Sequence, residues 1–485
     1  MKILLAGSEM APLVKTGGLG DVLGALPKAL AELGNEVAVC IPSYSKDIEK
    51  KFSGQRVAAE GVVNIGGDNK SYQIYETEIP QTPFKTFLIK NEEYFGRHGL
   101  YVDPKTGKNF EDNDLRFSFF CKVIIDFLQK INWRPDIVHA HDWQAALLPV
   151  YIRVTEKENQ FFSKTKTVLT IHNMAYQGKF PKSRYHLLKL PEELHYATAP
   201  LEYFGETNFL KGGISFADKV TTVSETYARE IQGPLGSGLE GVLKQRAKDV
   251  VGILNGVDYS VWSPEKDRLI PYRFRTGNMS GKKKDKIELL KTFGWPVAEG
   301  VPLVGMVSRL VEQKGLNLII EGAKKIFALD LQLVILGSGD KKIERELKWL
   351  ETEYPNKMKV FLKFDEKLAH QIEAGADMYL MPSLFEPCGL NQMYSLKYGT
   401  PPIVHKTGGL VDTVADHDLK TDTGTGLVFE KFTVDSMVDA ISRAVELYSK
   451  KRKWSRLVKN GMSQDFSWNS SAKKYHNLFE SLVKN

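Results

Sequence analysis

The chain has 485 residues, 42% of them hydrophobic and 26% charged, and Lys and Arg exceed Asp and Glu by 66 to 59 for a net charge of +7. That length exceeds one ordinary core, so two domains of roughly 200 to 250 residues are expected, and the apolar content excludes extended disorder. The positive excess suits an anionic small molecule and is too diffuse to argue for nucleic acid.

The first residues, MKILLAGSEMAP, hold an apolar run too short for a signal-peptide core and too short to span a bilayer, so they read as a first buried strand and no membrane partner is expected. Cys40, Cys121 and Cys388 form neither a paired framework nor a metal-ligand spacing, which points to a reducing cytoplasm.

Short apolar runs alternate with amphipathic stretches almost throughout, the pattern of βαβ units and parallel sheets in an α/β protein. A first series comprises KILLAGS (2–8), EVAVCIPSY (36–44), DIVHAHD (136–142), TVLTIHN (167–173), KVTTVS (219–224) and VVGILNG (250–256). Between its second and third members, YQIYETEI and KTFLIK read as an antiparallel insertion. A second series comprises PLVGMVSR (302–309), LQLVILGSG (331–339), KVFLKF (359–364), DMYLMPS (377–383), PPIVHK (401–406) and GLVFE (426–430). The stretch VDYSVWSPEKDRLIPYRFRTGNMSGKKKDK, rich in Pro, Gly and charge, reads as an interdomain linker, with the boundary near 262. Two such sheets predict ligands beyond the carboxyl ends of the strands, at the cleft between domains.

The pentapeptide KTGGL occurs twice, at 15–19 and 406–410, each time with an aspartate two positions further on. The first copy follows a strand and opens a helix, where glycines admit a close ligand and Lys15 with the helix amides suits a phosphate; a plain strand-to-helix turn explains it equally well. It has neither the dinucleotide fingerprint nor the Gly-Lys-Ser/Thr of a Walker loop. In DIVHAHDW, His139 and His141 share a strand face, which without a third ligand favours structural histidines over a metal site. Asp142 ends that strand, placed to orient a sugar hydroxyl or to cap a helix. His172 and Asn173 end another strand in LTIHNMAYQG, where position more than residue type draws interest.

In VGMVSRLVEQKG, Arg309 follows a strand and Lys314 opens a helix; two cations there suit a diphosphate and charge building on a leaving group, or form a solvated surface pair. In MPSLFEPCGLNQMYSLKYGTPPIVHKTGGLVDTV, Glu386 follows a buried strand, and Gly389, Leu390 and Asn391 open a helix whose free amides face the same end. A carboxylate beside an anion-binding helix start favours a ligand carrying both hydroxyls and phosphates. Cys388, with no histidine beside it in sequence, reads as a packed thiol.

Together KTGGLGDVLGALP, HAHDW, HNMAYQG, NFLKGGISFADKVTTVSETYARE, ILNGVD, VSRLVEQKG and PSLFEPCGLNQMYSLKYGTPPIV resemble the bacterial glycogen synthases and plant starch synthases, in order and over nearly the whole chain. The resemblance implies a retaining glycosyltransferase of GT-B architecture: two Rossmann-like parallel-sheet domains facing across a deep cleft, at 1–262 (acceptor side) and 263–462 (nucleotide-sugar side), and a helix at 463–485 crossing back to the first. It implies transfer of glucose from ADP-glucose to the non-reducing 4-hydroxyl of an α-1,4-glucan such as glycogen, with no cofactor and no metal.

Carried over by motif, the resemblance implies that Lys15 and the Gly17–Gly18 backbone contact the donor diphosphate, and that Asp142, His172 and Asn255 surround the transferred glucose. Arg309 and Lys314 neutralise the leaving diphosphate, Glu386 holds sugar hydroxyls, and the amides of Gly389, Leu390 and Asn391 serve the distal phosphate. Phe364 falls where the family stacks an aromatic ring on the nucleobase, and Tyr101 resembles a tyrosine near the donor or acceptor. UDP-glucose is the alternative donor. A glucan phosphorylase would be longer and carry pyridoxal phosphate on a lysine; a degenerate glucan-binding protein would have lost some of His172, Arg309, Lys314 and Glu386. A GT-B nucleotide-sugar epimerase would lack the full motif set.

Overall fold

The computed structural model describes residues 1–44, 56–80, 82–297 and 300–484. The chain divides into two compact units, one formed by Met1–Gly256 with Trp468–Asn485 and the other by Val257–Ser467.

The first unit is built on a nine-stranded sheet. Its parallel part contains β1 (Lys2–Ala6), β2 (Glu36–Pro42), β5 (Lys85–Lys90), β6 (Ile137–His141), β7 (Lys166–Ile171), β11 (Lys219–Thr222) and β12 (Val250–Gly252). β3 (Arg56–Ile65) and β4 (Asp68–Thr77) extend one edge as an antiparallel hairpin. KTFLIK, expected in an antiparallel insertion, is β5: antiparallel to β4 but parallel to β2, so it completes the main sheet. Its burial pattern explains this, because four consecutive residues, Thr86–Ile89, are buried, which requires cover on both faces. A separate three-stranded sheet joins β8 (Lys179–Pro181), β10 (Glu206–Asn208) and β9 (Glu202–Tyr203).

The second unit has one six-stranded parallel sheet ordered β15 (Met358–Leu362), β14 (Gln332–Gly337), β13 (Leu303–Val307), β16 (Met378–Met381), β17 (Pro402–His405) and β18 (Leu427–Phe429). In order of appearance this is 3-2-1-4-5-6, the doubly wound arrangement. The parallel strands of the first sheet repeat it, since β5-β2-β1-β6-β7-β11-β12 is again 3-2-1-4-5-6 with one strand added. The chain reverses direction across each sheet between the first and fourth parallel strands: β1 and β6 in one unit, β13 and β16 in the other. Loops leaving two such neighbours turn to opposite faces of the sheet and open a crevice at their carboxyl ends.

The stretch read as a linker, 257–286, belongs wholly to the second unit. Trp262 stacks on His370 and Tyr394 at centroid distances of 3.7 and 4.1 Å, and the buried Asp267 carboxylate meets His370 Nδ1 at 2.7 Å and accepts from the Tyr398 hydroxyl at 2.5 Å. Irregular sequence here means irregular backbone, not freedom. The boundary accordingly falls at 256/257, six residues before the expected one. The return to the first unit begins at Trp468, where the helix Trp468–Lys484 lays Tyr475 and Phe479 against His139, each with ring centroids 5.4 Å away.

Candidate active site

In the first unit, the polar groups gather after β1, β6 and β7. β6 is buried along its whole length, and its last residue leads directly into Asp142. Asp142 takes a left-handed backbone conformation (φ 57°), uncommon outside glycine, which turns the chain sharply at the sheet end. Its carboxylate accepts from the His172 backbone N–H at 2.7 Å, joining the ends of β6 and β7. Desolvation pushes this carboxyl up to about 7, reinforced by the Glu9 charge and opposed by the His172 amide. His141 Nδ1 lies 3.0 Å from His172 Nε2. Burial lowers the His172 and His139 pKa values to about 3, so both rings are neutral near pH 7. Asn255 is buried, and its side-chain oxygen has no partner among the described residues, an acceptor left open a few residues beyond β12.

The first KTGGL loop is organised by a residue that its motif did not point to. Glu9, buried just after β1, accepts from the Thr16 N–H at 2.5 Å, the Thr16 hydroxyl at 2.6 Å and the Gly17 N–H at 3.2 Å. The Gly17 amide expected at the diphosphate is therefore engaged by a carboxylate, whereas Gly18 is the first residue of α1 (Gly18–Glu32); at both glycines no described atom lies within 4 Å of the side-chain position. Lys15 Nζ pairs with Asp21 at 2.6 Å. The Tyr101 hydroxyl donates to Glu9 at 2.7 Å and lies 2.6 Å from Ser8 Oγ. The structure thus ties this hydroxyl into the scaffold of the first KTGGL loop. The signal for Glu9 was its place, three residues past the first buried strand.

In the second unit, Arg309, Lys314, Glu386, Gly389, Leu390 and Asn391 come together around a pocket of about 200 Å3. The pocket sits where β13 and β16 part, the position that strand order dictates. Lys314 ends a short 3-10 turn, Glu312–Lys314, two residues ahead of the helix Leu316–Ala328 that it was expected to open. Its ammonium donates to Glu386 Oε2 at 2.6 Å, and Ser383 Oγ donates to the same oxygen at 2.9 Å. Arg309 is exposed, and no carboxylate pairs with it among the described residues. Gly389 has φ +71°, and the helix after it, Asn391–Lys397, has seven residues. The Asn391 side chain donates to the Val307 carbonyl at 3.0 Å and the Tyr379 hydroxyl at 2.6 Å, so it braces the pocket wall. Phe364 lies outside this pocket, just beyond β15, and is 89% exposed.

The second KTGGL plays a different part from the first. A β-carbon at Gly409 would stand 2.1 Å from the Cys388 carbonyl oxygen and one at Gly408 2.0 Å from that of Glu386. The Gly409 N–H donates to Glu386 O at 3.0 Å. These glycines let the chain after β17 lie directly against the segment that carries Glu386.

Residues 2–245 match the family model of the starch synthase catalytic domain, and residues 291–461 that of group 1 glycosyl transferases. Glycogen synthase of Geotalea daltonii is 46% identical over 100% of this chain and 99% of its own; that of Thermotoga maritima is 40% identical over 100% and 99%. The catalytic domain of starch synthase IV from Arabidopsis thaliana, bound to ADP and acarbose, superposes with a TM-score of 0.89 at 34% identity, covering 100% of this chain and 99% of that one. A sucrose-phosphate synthase from Thermosynechococcus elongatus, 16% identical with a TM-score of 0.62 over 100% and 99%, shares the fold alone. Two doubly wound units with these matches define a glycosyltransferase with the two-domain α/β fold of the GT-B class. The chain belongs to the glycogen synthase and starch synthase family.

Proposed function

We propose that the chain transfers glucose from ADP-glucose, with retention, to the non-reducing 4-hydroxyl of an α-1,4-glucan, and that it needs no metal. The observation that carries this reading is the pocket between β13 and β16, which Arg309, Lys314, Gly389, Leu390 and Asn391 line beside the buried carboxylate of Glu386. Such a site suits a ligand with phosphates at one end and hydroxyls at the other. ADP and acarbose, bound together in the starch synthase IV structure, have these chemistries: a nucleoside diphosphate and an oligosaccharide analogue.

On this reading Arg309 and Lys314 stabilise the charge that develops on ADP as the glycosidic bond breaks, and Gly389, Leu390 and Asn391 serve the distal phosphate. Glu386, held by Lys314 and Ser383, orients sugar hydroxyls. Asp142, His172 and Asn255 surround the transferred glucose, Lys15 and Gly18 meet the diphosphate from the first unit's loop, and Phe364 stacks on the base. The acceptor hydroxyl attacks from the face the diphosphate leaves, and the departing phosphate oxygen takes its proton. The cations thereby replace the paired carboxylates of retaining glycosidases.

The test is glucose incorporation into glycogen from ADP-glucose and UDP-glucose in parallel, each with EDTA. Transfer from ADP-glucose alone supports the reading in full. Transfer from UDP-glucose alone overturns the donor. Failure of both, with epimerised sugar found when acceptor is left out, replaces the transferase with an epimerase.

A further inference from the structure

β6 delivers two neutral histidines to the interior of the first unit, and the proposed reaction uses neither. His139 and His141 are fully buried and lie on one face of the strand, with ring centroids 4.1 Å apart. Among the described residues, each has one ring nitrogen with a partner and one without. His139 Nε2 meets Thr170 Oγ1 at 2.6 Å while its Nδ1 is buried and unpartnered; His141 Nδ1 meets His172 Nε2 at 3.0 Å while its Nε2 is buried and unpartnered.

A neutral imidazole carries one N–H and one lone pair. Burial holds His141 and His172 well below the usual histidine range, so the bond between them contains a single proton. If His172 donated it, His141 would have to carry its own proton on Nε2, leaving a buried N–H with no acceptor. If His141 donates, the orphan is only a lone pair, the cheaper defect. The same rule applied to His139 puts its proton on Nε2, donated to Thr170 Oγ1, which passes its own to Thr221 Oγ1 at 2.5 Å. The two histidines of β6 thus both direct their protons toward β7.

We infer that His141 is a positioning residue that fixes the tautomer of His172: by donating from Nδ1 it occupies His172 Nε2 and leaves His172 presenting Nδ1–H to a ligand. Asp142, the next residue, holds the His172 backbone N–H, so the end of β6 clamps both the main chain and the ring of His172. His172 then donates to an oxygen of the sugar and cannot serve as a general base through Nδ1. This rests on the transferase reading only for the identity of the ligand; the proton placement belongs to the free protein.

The test is nitrogen NMR of protein labelled with 15N in the histidine rings, with His172 assigned by the signals lost in His172→Gln. The expected spectrum has His172 Nδ1 protonated and Nε2 unprotonated. In His141→Leu, which keeps an apolar side chain in the buried site, the His172 signals move toward a tautomer average, and kcat/KM for ADP-glucose falls roughly tenfold, the worth of one well-placed hydrogen bond. A wild-type His172 protonated on Nε2, or one unchanged in His141→Leu, overturns the inference; if that variant does not fold, the wild-type spectrum decides. A wild type with the expected spectrum that makes no glucan would sink the transferase reading and leave the proton assignment standing.

Discussion

Lys314 and Glu386 form a 2.6 Å ion pair in which both side chains are largely withdrawn from water. Such a pair is worth little against an apolar replacement, but breaking it by removing one member leaves a desolvated charge. Glu386→Ala should therefore lose at least a hundredfold in transfer and also destabilise the protein by about 2 kcal/mol. Adding Lys314→Met should restore most of the stability and none of the activity. Melting temperatures and turnover of the wild type, the single and the double variant check both statements; a double variant no more stable than the single one would show that the ion pair is not the cause.

The two KTGGL copies make opposite demands on their glycines. Gly17 has extended backbone (φ −156°) and open space at its side-chain position, so Gly17→Ala should fold with a melting temperature within about 1 °C of the wild type. Gly409→Ala places a methyl group 2.1 Å from a backbone carbonyl oxygen and must push away the Glu386–Cys388 segment. A loss of about 2 kcal/mol, with a lower kcat, is expected there. Equal melting temperatures for the two variants would contradict this distinction.

That contrast marks what sequence could and could not reveal. Both copies follow a strand and open a helix, and this much was legible because turn chemistry is local. Which copy stays open and which abuts another strand's loop depends on β16 and β17 being neighbours, a fact of strand order. Arg309, Lys314 and Glu386 were legible for a related reason: the doubly wound sheet brings strand ends together at one place, so cations and a carboxylate just past apolar runs mark that place. Glu9 was missed because a lone carboxylate in GSEMAP has no spacing to distinguish it; its partners Thr16 and Gly17 are brought back by the loop. The 257–286 segment misled because Pro, Gly and charge signal irregular backbone without saying that Trp262 and Asp267 would be packed.

Asp142 makes a pH-dependent contribution to stability. Folding raises its carboxyl from the usual 3.8 to about 7. Between those values the folded protein retains a proton that the unfolded chain has released, so stability declines as pH rises from about 4 to about 7, and the full penalty stands above 7. Asp142→Asn keeps an oxygen for the His172 amide, tolerates the left-handed conformation and has no charge to desolvate. It should be more stable than the wild type by about 2 kcal/mol at pH 8, allowing for partial exposure, and no more stable near pH 4. Thermal melts of the two proteins across that range would decide it; a variant less stable than the wild type at pH 8 would mean the carboxylate is held by partners stronger than the His172 amide.

Phe364 spends apolar area on water. At 89% exposed it contributes almost nothing to the core, so Phe364→Ala should leave the melting temperature within about 1 °C of the wild type. An aromatic ring has only two side-chain torsions to lose when a flat ligand covers it, and base stacking on an aromatic side chain is worth about 1–3 kcal/mol. Its loss should therefore raise KM for the nucleotide sugar by roughly tenfold or more, with little change in kcat, because stacking on the base is the same in the ground state and the transition state. Phe364→Tyr should behave like the wild type. An unchanged KM in the alanine variant would free this ring from the nucleobase and leave its exposure without a ligand.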